Sequence, residues 1–418
     1  MRSFLLNRTK KDLRAAIRIE TAPCGQKKEG FYHHHLHQHQ QRFFSSEKII
    51  NGDDSTSTSK STATSSPIVH KSKSKLNYFR GWAYQQVYLN RRISYKRRQG
   101  QTHRSGSSNP PSTCTLSDSK SDSSDRDRIL FFEHESVYTL GRGADENHLT
   151  FLNEENRHLL SRRSNKSAAG ERGEDQQRQQ NSSRLYVDKF KHNQSSHYTS
   201  IEEEVNSMDE PQPILSPNGA PIYRIERGGE VTYHGPGQLV CYPLLDLTQK
   251  PPYKQDLHWY LHSIEEVIIQ TLSEYGIQGK RDDINTGVWV DSYDNGSGNS
   301  SGNDSGANNN SDGTPTANKI AAVGVSSSRW ITTHGFALNI DPDLSYFDTS
   351  LIIPCGIEGR GVTSIANVLR EQHGDKKHDD GHNKNTQIPS IDDVTNVVID
   401  KFELVFDVKV EREGSLLS

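Results

Sequence analysis

The chain has 418 residues of which 31% are apolar, and even counting its 31 glycines it falls short of the usual globular share of about 45–50%. Much of its length must be solvated, in keeping with a mean hydropathy of −0.84. A net charge of −3 gives no overall pull toward nucleic acid or an anionic membrane, and no apolar run approaches the roughly 20 residues of a membrane span.

Over the first twenty residues Arg2, Arg8, Lys10, Lys11, Arg14 and Arg18 face only Asp12 and Glu20, and Phe4, Leu5, Leu13, Ile17 and Ile19 can share one side of a helix. That pattern predicts an organelle transit peptide over 1–30, mitochondrial or plastid, with a basic tail as the plainer reading. Residues 31–75 show no periodicity and read as a disordered leader. Its tract of His33, His34, His35, His37 and His39 is a compositional run with nothing to fix metal-ligand geometry.

Pattern starts near residue 76, where aromatic residues from Trp82 to Tyr88 predict a strand running into a helix. Ten Lys/Arg and no acid between 71 and 104 suit an acidic protein partner better than nucleic acid, because no nucleic-acid motif accompanies them. RILFFEHESVYTLGRG (128–143) predicts a buried strand ending in a glycine turn. Leu257, Tyr260, Leu261, Ile264, Val267, Ile268 and Leu272 have helical spacing and stop at Gly276. Strands are expected at 286–290, 319–325 and 331–340. Ser390 with Asp393 opens a last helix, and LVFDVKVE (404–411) reads as a closing strand. The expectation is a single mixed α/β domain over 76–412, with polar inserts near 105–127, 153–218, 294–318 and 371–389.

Three features carry chemistry. Arg227-Gly-Gly-Glu-Val-Thr-Tyr-His-Gly-Pro-Gly-Gln238 gathers a cation, a phenol and an imidazole among glycines and a proline, more than a plain turn requires. It is neither a Walker loop nor a dinucleotide fingerprint. Cys355, in LIIPCGIEGRGVTS, follows an apolar run, and Gly356 would leave the next backbone N–H open to an oxyanion. A small buried hydrophobe is the competing reading of that cysteine. Lys319 opens an apolar strand, where it would stabilise a nearby thiolate or accept a proton, or simply be a solvated lysine. Cys24 and Cys114 lie in polar sequence and Cys241 in a buried strand, and with no C-x-x-C pair a disulfide scaffold is excluded and a zinc ribbon disfavoured.

RGGEVTYHGPGQLVCYPLLDL, TGVWV with KIAAVGVSSSRWITTHGFALNI, and PCGIEGRGVTSI closely resemble the signature blocks of the lipoyl(octanoyl) transferase family, and WAYQQVYLNRR and LFFEHESVYTLGRGA match more mildly in the same order. The resemblance implies an α/β fold of the biotin/lipoate protein ligase type. It also implies transfer of an octanoyl group from octanoyl-acyl carrier protein to a lysine of lipoyl domains, on 2-oxo-acid dehydrogenase E2 subunits or the glycine-cleavage H protein. No cofactor or metal is implied, and the compartment would be the mitochondrial matrix, with the plastid as alternative. By motif Cys355 would form the acyl thioester and Lys319 would lower its pKa. Arg227, Gly228, Gly229, Glu230, Val231, Thr232, Tyr233, His234, Ala322, Val323, Gly324, Gly335, Phe336 and Ala337 would line the acyl pocket. Gly324 and Gly335 would leave room for the chain, and His234 could help hold the oxyanion. An amidotransferase between lipoyl domains, an ATP-dependent ligase and a non-catalytic acyl-binding protein are the alternative readings.

Overall fold

A computed structural model describes residues 66–105, 126–154, 156–157, 200–291, 317–356, 360–373 and 386–412. The expected transit peptide, the histidine tract and most of the four inserts lie outside the described residues. Contacts divide the chain into Met1–Thr62 and Ala63–Ser418, and every described residue belongs to the second unit.

Strand β1 (Ile68–Lys71) forms inside the leader expected to be disordered, because Ile68 and Val69 are buried and pair in parallel with a neighbouring strand. Helix α1 (Tyr78–Ser105) replaces the strand expected at its start. Tyr78 and Trp82, with Phe79, Ala83 and Val87, recur four apart and bury one helical face. The predicted 128–143 strand is two, β2 (Arg128–Phe132) and β3 (Val137–Leu140), which part into different sheets.

Helix α2 (Ile201–Asn206), capped by the Ser200 side chain, and strand β4 (Ile214–Leu215) fall within the tract expected to be a polar insert as far as 218. Val205 and Met208 are buried there, and Arg91 of α1 pairs with Glu204 at 2.8 Å. Polar composition hid these few anchoring residues.

Strands β5 (Pro221–Arg224), β6 (Val231–His234) and β7 (Gln238–Leu244) follow, and then α3 (Leu257–Ser273), capped by Asp256. Next come β8 (Val288–Asp291), β9 (Ala317–Ser328), β10 (Ile331–Asn339) and α4 (Ile365–Gln372). Helix α5 (Ile391–Phe406) opens on the capping box of Ser390 and Asp393. It takes over the first three residues of the strand expected at 404–411, because Phe402 and Phe406 stack one turn apart at 4.3 Å on the buried face. Only β11 (Glu411–Arg412) is extended.

The mixed α/β fold is thus present, built on two sheets. One has seven strands in the order β11-β1-β2-β7-β10-β9-β8, parallel from β11 to β2 and antiparallel beyond. The other has four, in the order β4-β5-β3-β6. Ile264, Val267 and Ile268 of α3 share a core with Val398 and Phe402 of α5 and with Phe336 and Leu338 of β10. The α1 aromatics share a second core with Val240, Tyr242 and Ala337. Among the described residues no helix is long and apolar enough to cross a membrane.

Candidate active site

β9, β10 and the loop leading into β6 enclose a cavity of about 310 Å³. Lys319, on β9, lies at its wall and is only 6% exposed. Its Nζ donates to the Thr286 carbonyl at 3.2 Å and sits 4.6 Å from the centroid of the Trp289 ring. A buried ammonium is thus held by a carbonyl dipole and a π face, which steady a cation without neutralising it.

The chain following the cysteine turn is bonded to the same lysine. Lys319 N–H donates to the Gly361 carbonyl and Thr363 N–H to the Lys319 carbonyl, both at 2.9 Å. Arg360 pairs with Asp282 and lies over Trp289 at 4.8 Å. Trp289 therefore carries contacts from both the Lys319 and the Arg360 side.

Pro354–Gly356 is a single 3-10 turn, and the side chain of Cys355 lies outside the described residues. The turn is seated by Ile353 N–H donating to the His148 carbonyl at 2.8 Å. A side chain at Gly356 would strike His148 at 2.9 Å and Glu230 at 3.2 Å, so the turn rests on a residue of the cavity wall. The open N–H expected at Gly356 is absent: it donates to the Ile353 carbonyl at 3.0 Å, as a 3-10 turn requires.

Of the residues expected in the acyl pocket, Arg227, Gly228, Gly229, Glu230, Val231, Thr232, His234, Ala322, Val323, Gly324, Gly335, Phe336 and Ala337 all line this cavity. Tyr233 does not. Alternation along β6 turns it away, to stack on Tyr346 at 4.4 Å and bond Ser136 at 2.9 Å. Arg227 is locked by Nη2 donating to the Thr139 carbonyl and hydroxyl, both at 2.8 Å.

The two glycines work differently from expectation. A Cβ on Gly335 would lie 2.2 Å from the Cys241 carbonyl oxygen, so its bareness serves the approach of β7 rather than the cavity. One on Gly324 would lie 3.0 Å from the Gly228 carbonyl, so that glycine lets the Arg227 loop settle on β9.

The inner end of the cavity holds residues the sequence did not single out: Tyr78, Tyr242 and His334. His334, in the THGF stretch, has a φ of 58° and is held by Gln85 Oε1 accepting its N–H at 2.6 Å. Its Nε2 lies 3.1 Å from Glu226, which also accepts from Trp82 and Gln86. Desolvation would raise the Glu226 carboxyl, but His334 and the other donors win and hold it below its ordinary value.

His234 and His134 are fixed as neutral rings. Burial drives them down to about 3 and about 4. Gln238 donates its amide to the Tyr233 carbonyl and to Asn339 Oδ1, which leaves its oxygen to accept from His234 Nδ1 at 2.7 Å. His234 Nε2 is therefore an acceptor, and the expected oxyanion-holding role does not fit this tautomer. Likewise His134 Nδ1 donates to the Leu76 carbonyl and its Nε2 accepts from the Tyr242 hydroxyl, both at 3.0 Å.

Residues 199–403 match the family model described as the lipoyl protein ligase A/B catalytic domain. Within it the resemblance to octanoyltransferases holds. Proteins named octanoyltransferase from Christiangramia forsetii and Gloeobacter violaceus are 48% and 46% identical over 151 and 155 residues, which is 36% and 37% of this chain and 54% and 56% of theirs. The chain spans about half the length of the curated relatives it matches. Among solved structures, lipoate-protein ligase A bound with ATP gives a TM-score of 0.39 at 12% identity, over 84% of this chain and 89% of that one. A bi-partite lipoate protein ligase from Thermoplasma acidophilum gives 0.37 at 13%, over 84% and 87%.

Proposed function

We propose that this chain transfers an octanoyl group from acyl carrier protein, through a thioester on Cys355, to a lysine of lipoyl domains. The observation that carries the reading is the buried Lys319 ammonium on a cavity wall, with its backbone bonded to Gly361 and Thr363, in the segment that follows the Pro354–Gly356 turn. An ammonium near a thiol favours the thiolate, the form that attacks. Cys355 sulfur bonds to the donor's carbonyl carbon and the carrier thiolate leaves. The acceptor amine then bonds to the same carbon, Cys355 leaves as the thiolate, and that thiolate takes the amine's proton to restore the thiol beside the Lys319 ammonium. Thioester exchange is close to isoergic and amide formation is downhill, so no nucleotide is consumed.

Burial of the chain supplies binding at about 0.8 kcal/mol per methylene. The acceptors in this reading are the lipoyl domains of E2 subunits and the H protein, and the Arg-rich leader would direct the chain to the mitochondrial matrix. Transfer assays with octanoyl-acyl carrier protein and an apo lipoyl domain test the reading. Octanoylation of the acceptor without ATP is the expected result; modification only with ATP and free acid would make the chain a ligase.

A further inference from the structure

Asp282 lies in the loop between α3 and β8, and each of its carboxylate oxygens has a separate task. One accepts from Ile284 N–H at 3.0 Å, from Asn285 N–H at 2.8 Å and from the Asn285 side-chain amide at 3.1 Å. The other accepts from Arg360 Nη1. A carboxylate at the head of a loop that takes the loop's own N–H groups fixes its conformation. This loop is the one that delivers the Thr286 carbonyl to Lys319 Nζ at 3.2 Å.

The far end of the loop is pinned as well. Gly287 N–H donates to Glu265 of α3 at 2.9 Å. A Cβ on Gly287, whose φ is 128°, would lie 2.7 Å from the Ala321 carbonyl oxygen and 3.4 Å from Lys319 Cε. The backbone therefore runs directly against the lysine stem, and holding the loop holds the carbonyl on the ammonium.

Arg360 brings in the other side. It opens the segment that follows the cysteine turn, which bonds to the Lys319 backbone through Gly361 and Thr363. Its guanidinium lies 4.8 Å from the centroid of the Trp289 ring, and Lys319 Nζ lies 4.6 Å from the same centroid. Two cations on one ring repel each other, and a carboxylate on one of them relieves that repulsion. Desolvation would raise the Asp282 carboxyl, but the Arg360 hydrogen bond and the Asn285 and Ile284 N–H groups outweigh it and hold it at about 2. It is thus ionised wherever the enzyme would work.

We propose that Asp282 is a positioning residue for the acyl-transfer reading, on which this inference rests. It keeps the Thr286 carbonyl on Lys319 and, through Arg360, ties the segment following Cys355 to the same loop. It acts through these two cations and not on the reacting atoms.

The test is alkylation of Cys355 by iodoacetamide in the full chain, followed by mass spectrometry of its own peptide between about pH 6 and about pH 9. In Asp282→Ala the profile should move to higher pH, and the rate at about pH 7 should fall about three- to tenfold, the scale of one hydrogen bond. The sign is diagnostic, because deleting a negative charge would by itself favour the thiolate and move the profile the other way. His148 and Glu230, the titratable pair against Gly356, are the same in every variant. Asp282→Asn, which keeps an oxygen for the loop N–H groups, should show a smaller shift in the same direction, and it decides alone if Asp282→Ala does not fold. Asp283→Ala, which removes the exposed carboxylate next door, should leave the profile in place. A profile unmoved or moved to lower pH in the Asp282 variants, or moved equally by Asp283→Ala, would overturn the proposal. Alkylation needs no acyl donor, so a wild-type chain that forms no thioester yet shows the shift would sink the acyl-transfer reading and leave this coupling standing.

Discussion

Lys319 lies at one end of the cavity against a tryptophan ring and a carbonyl, whereas the other end is closed by Tyr78, Tyr242, His234 and His334. Both ends are buried, yet they treat polarity in opposite ways. The Lys319 end keeps a cation with no carboxylate bonded to it among the described residues, so its field reaches into the cavity. At the inner end His134 and His234 are neutral and their hydrogen bonds are closed by Leu76, Tyr242 and Gln238. The inner end also holds charge, the Glu226 carboxylate and the Arg227 guanidinium, but that carboxylate is enclosed by His334, Trp82 and Gln86, whereas Lys319 meets only a carbonyl and a ring.

Removing each end in turn is the strongest way to break this contrast. Lys319→Met should lower octanoyl transfer by about 10²–10⁴-fold, the scale of a lost acid–base group. His234→Gln should cost no more than about tenfold, since it disturbs a hydrogen bond and no charge. Steady-state rates on the two variants check this, and equal losses would erase the distinction.

Acid should attack the buried neutral histidines, two beside the cavity and one, His70, beside Arg128. His70, His134 and His234 sit at about 3, 4 and 3 in the fold against 6.5 when unfolded, so the unfolded chain binds more protons below that value. Their contribution is fully present above about pH 6.5 and is lost as pH falls toward about 4. Asp127, lifted to about 6 from 3.8, opposes the trend by favouring the fold on protonation, but it is one group against three. Urea melts between about pH 7 and about pH 4.5 should therefore show falling stability, and His134→Gln should shallow the slope.

A smaller effect sharpens the role of the strand floor. Gly335→Ala drives a methyl into the Cys241 carbonyl and should cost about 1–3 kcal/mol by chemical denaturation. If it lost affinity for the acyl group at unchanged stability, Gly335 would serve the cavity after all. Ser390→Ala removes the α5 capping box, remote from both ends, and should cost about 1 kcal/mol with transfer unchanged.

The sequence made the cavity wall legible because its residues lie in three short blocks rich in glycine, where side-chain type and spacing speak directly. α3 and the start of α5 were legible from periodicity and caps, since Asp256 and Ser390 accept from backbone N–H groups as such residues do. Facing was harder to read. Tyr233 lies in the densest motif yet points to Tyr346, and only strand alternation in three dimensions tells it from His234. Tyr78 reaches the cavity from a helix more than a hundred residues away, with no local signal beyond an aromatic cluster. The Gly356 N–H looked open because a strand-to-turn reading leaves it so, whereas a 3-10 turn consumes it. Part of the basic stretch is spent internally, a use invisible in sequence: Arg91, Arg92 and Lys96 have acidic partners at distant positions, at Glu204, Asp127 and Asp246, while Lys73, Lys75, Arg97 and Arg98 are exposed.

The most direct test of the central claim is the intact mass of the protein after mixing with octanoyl-acyl carrier protein in the absence of ATP. The account expects a gain of about 126 Da for the Cys thioester, absent in Cys355→Ser and discharged when an apo lipoyl domain is added. No gain on the wild-type chain, with the acceptor modified only when ATP and free octanoate are supplied, would contradict it.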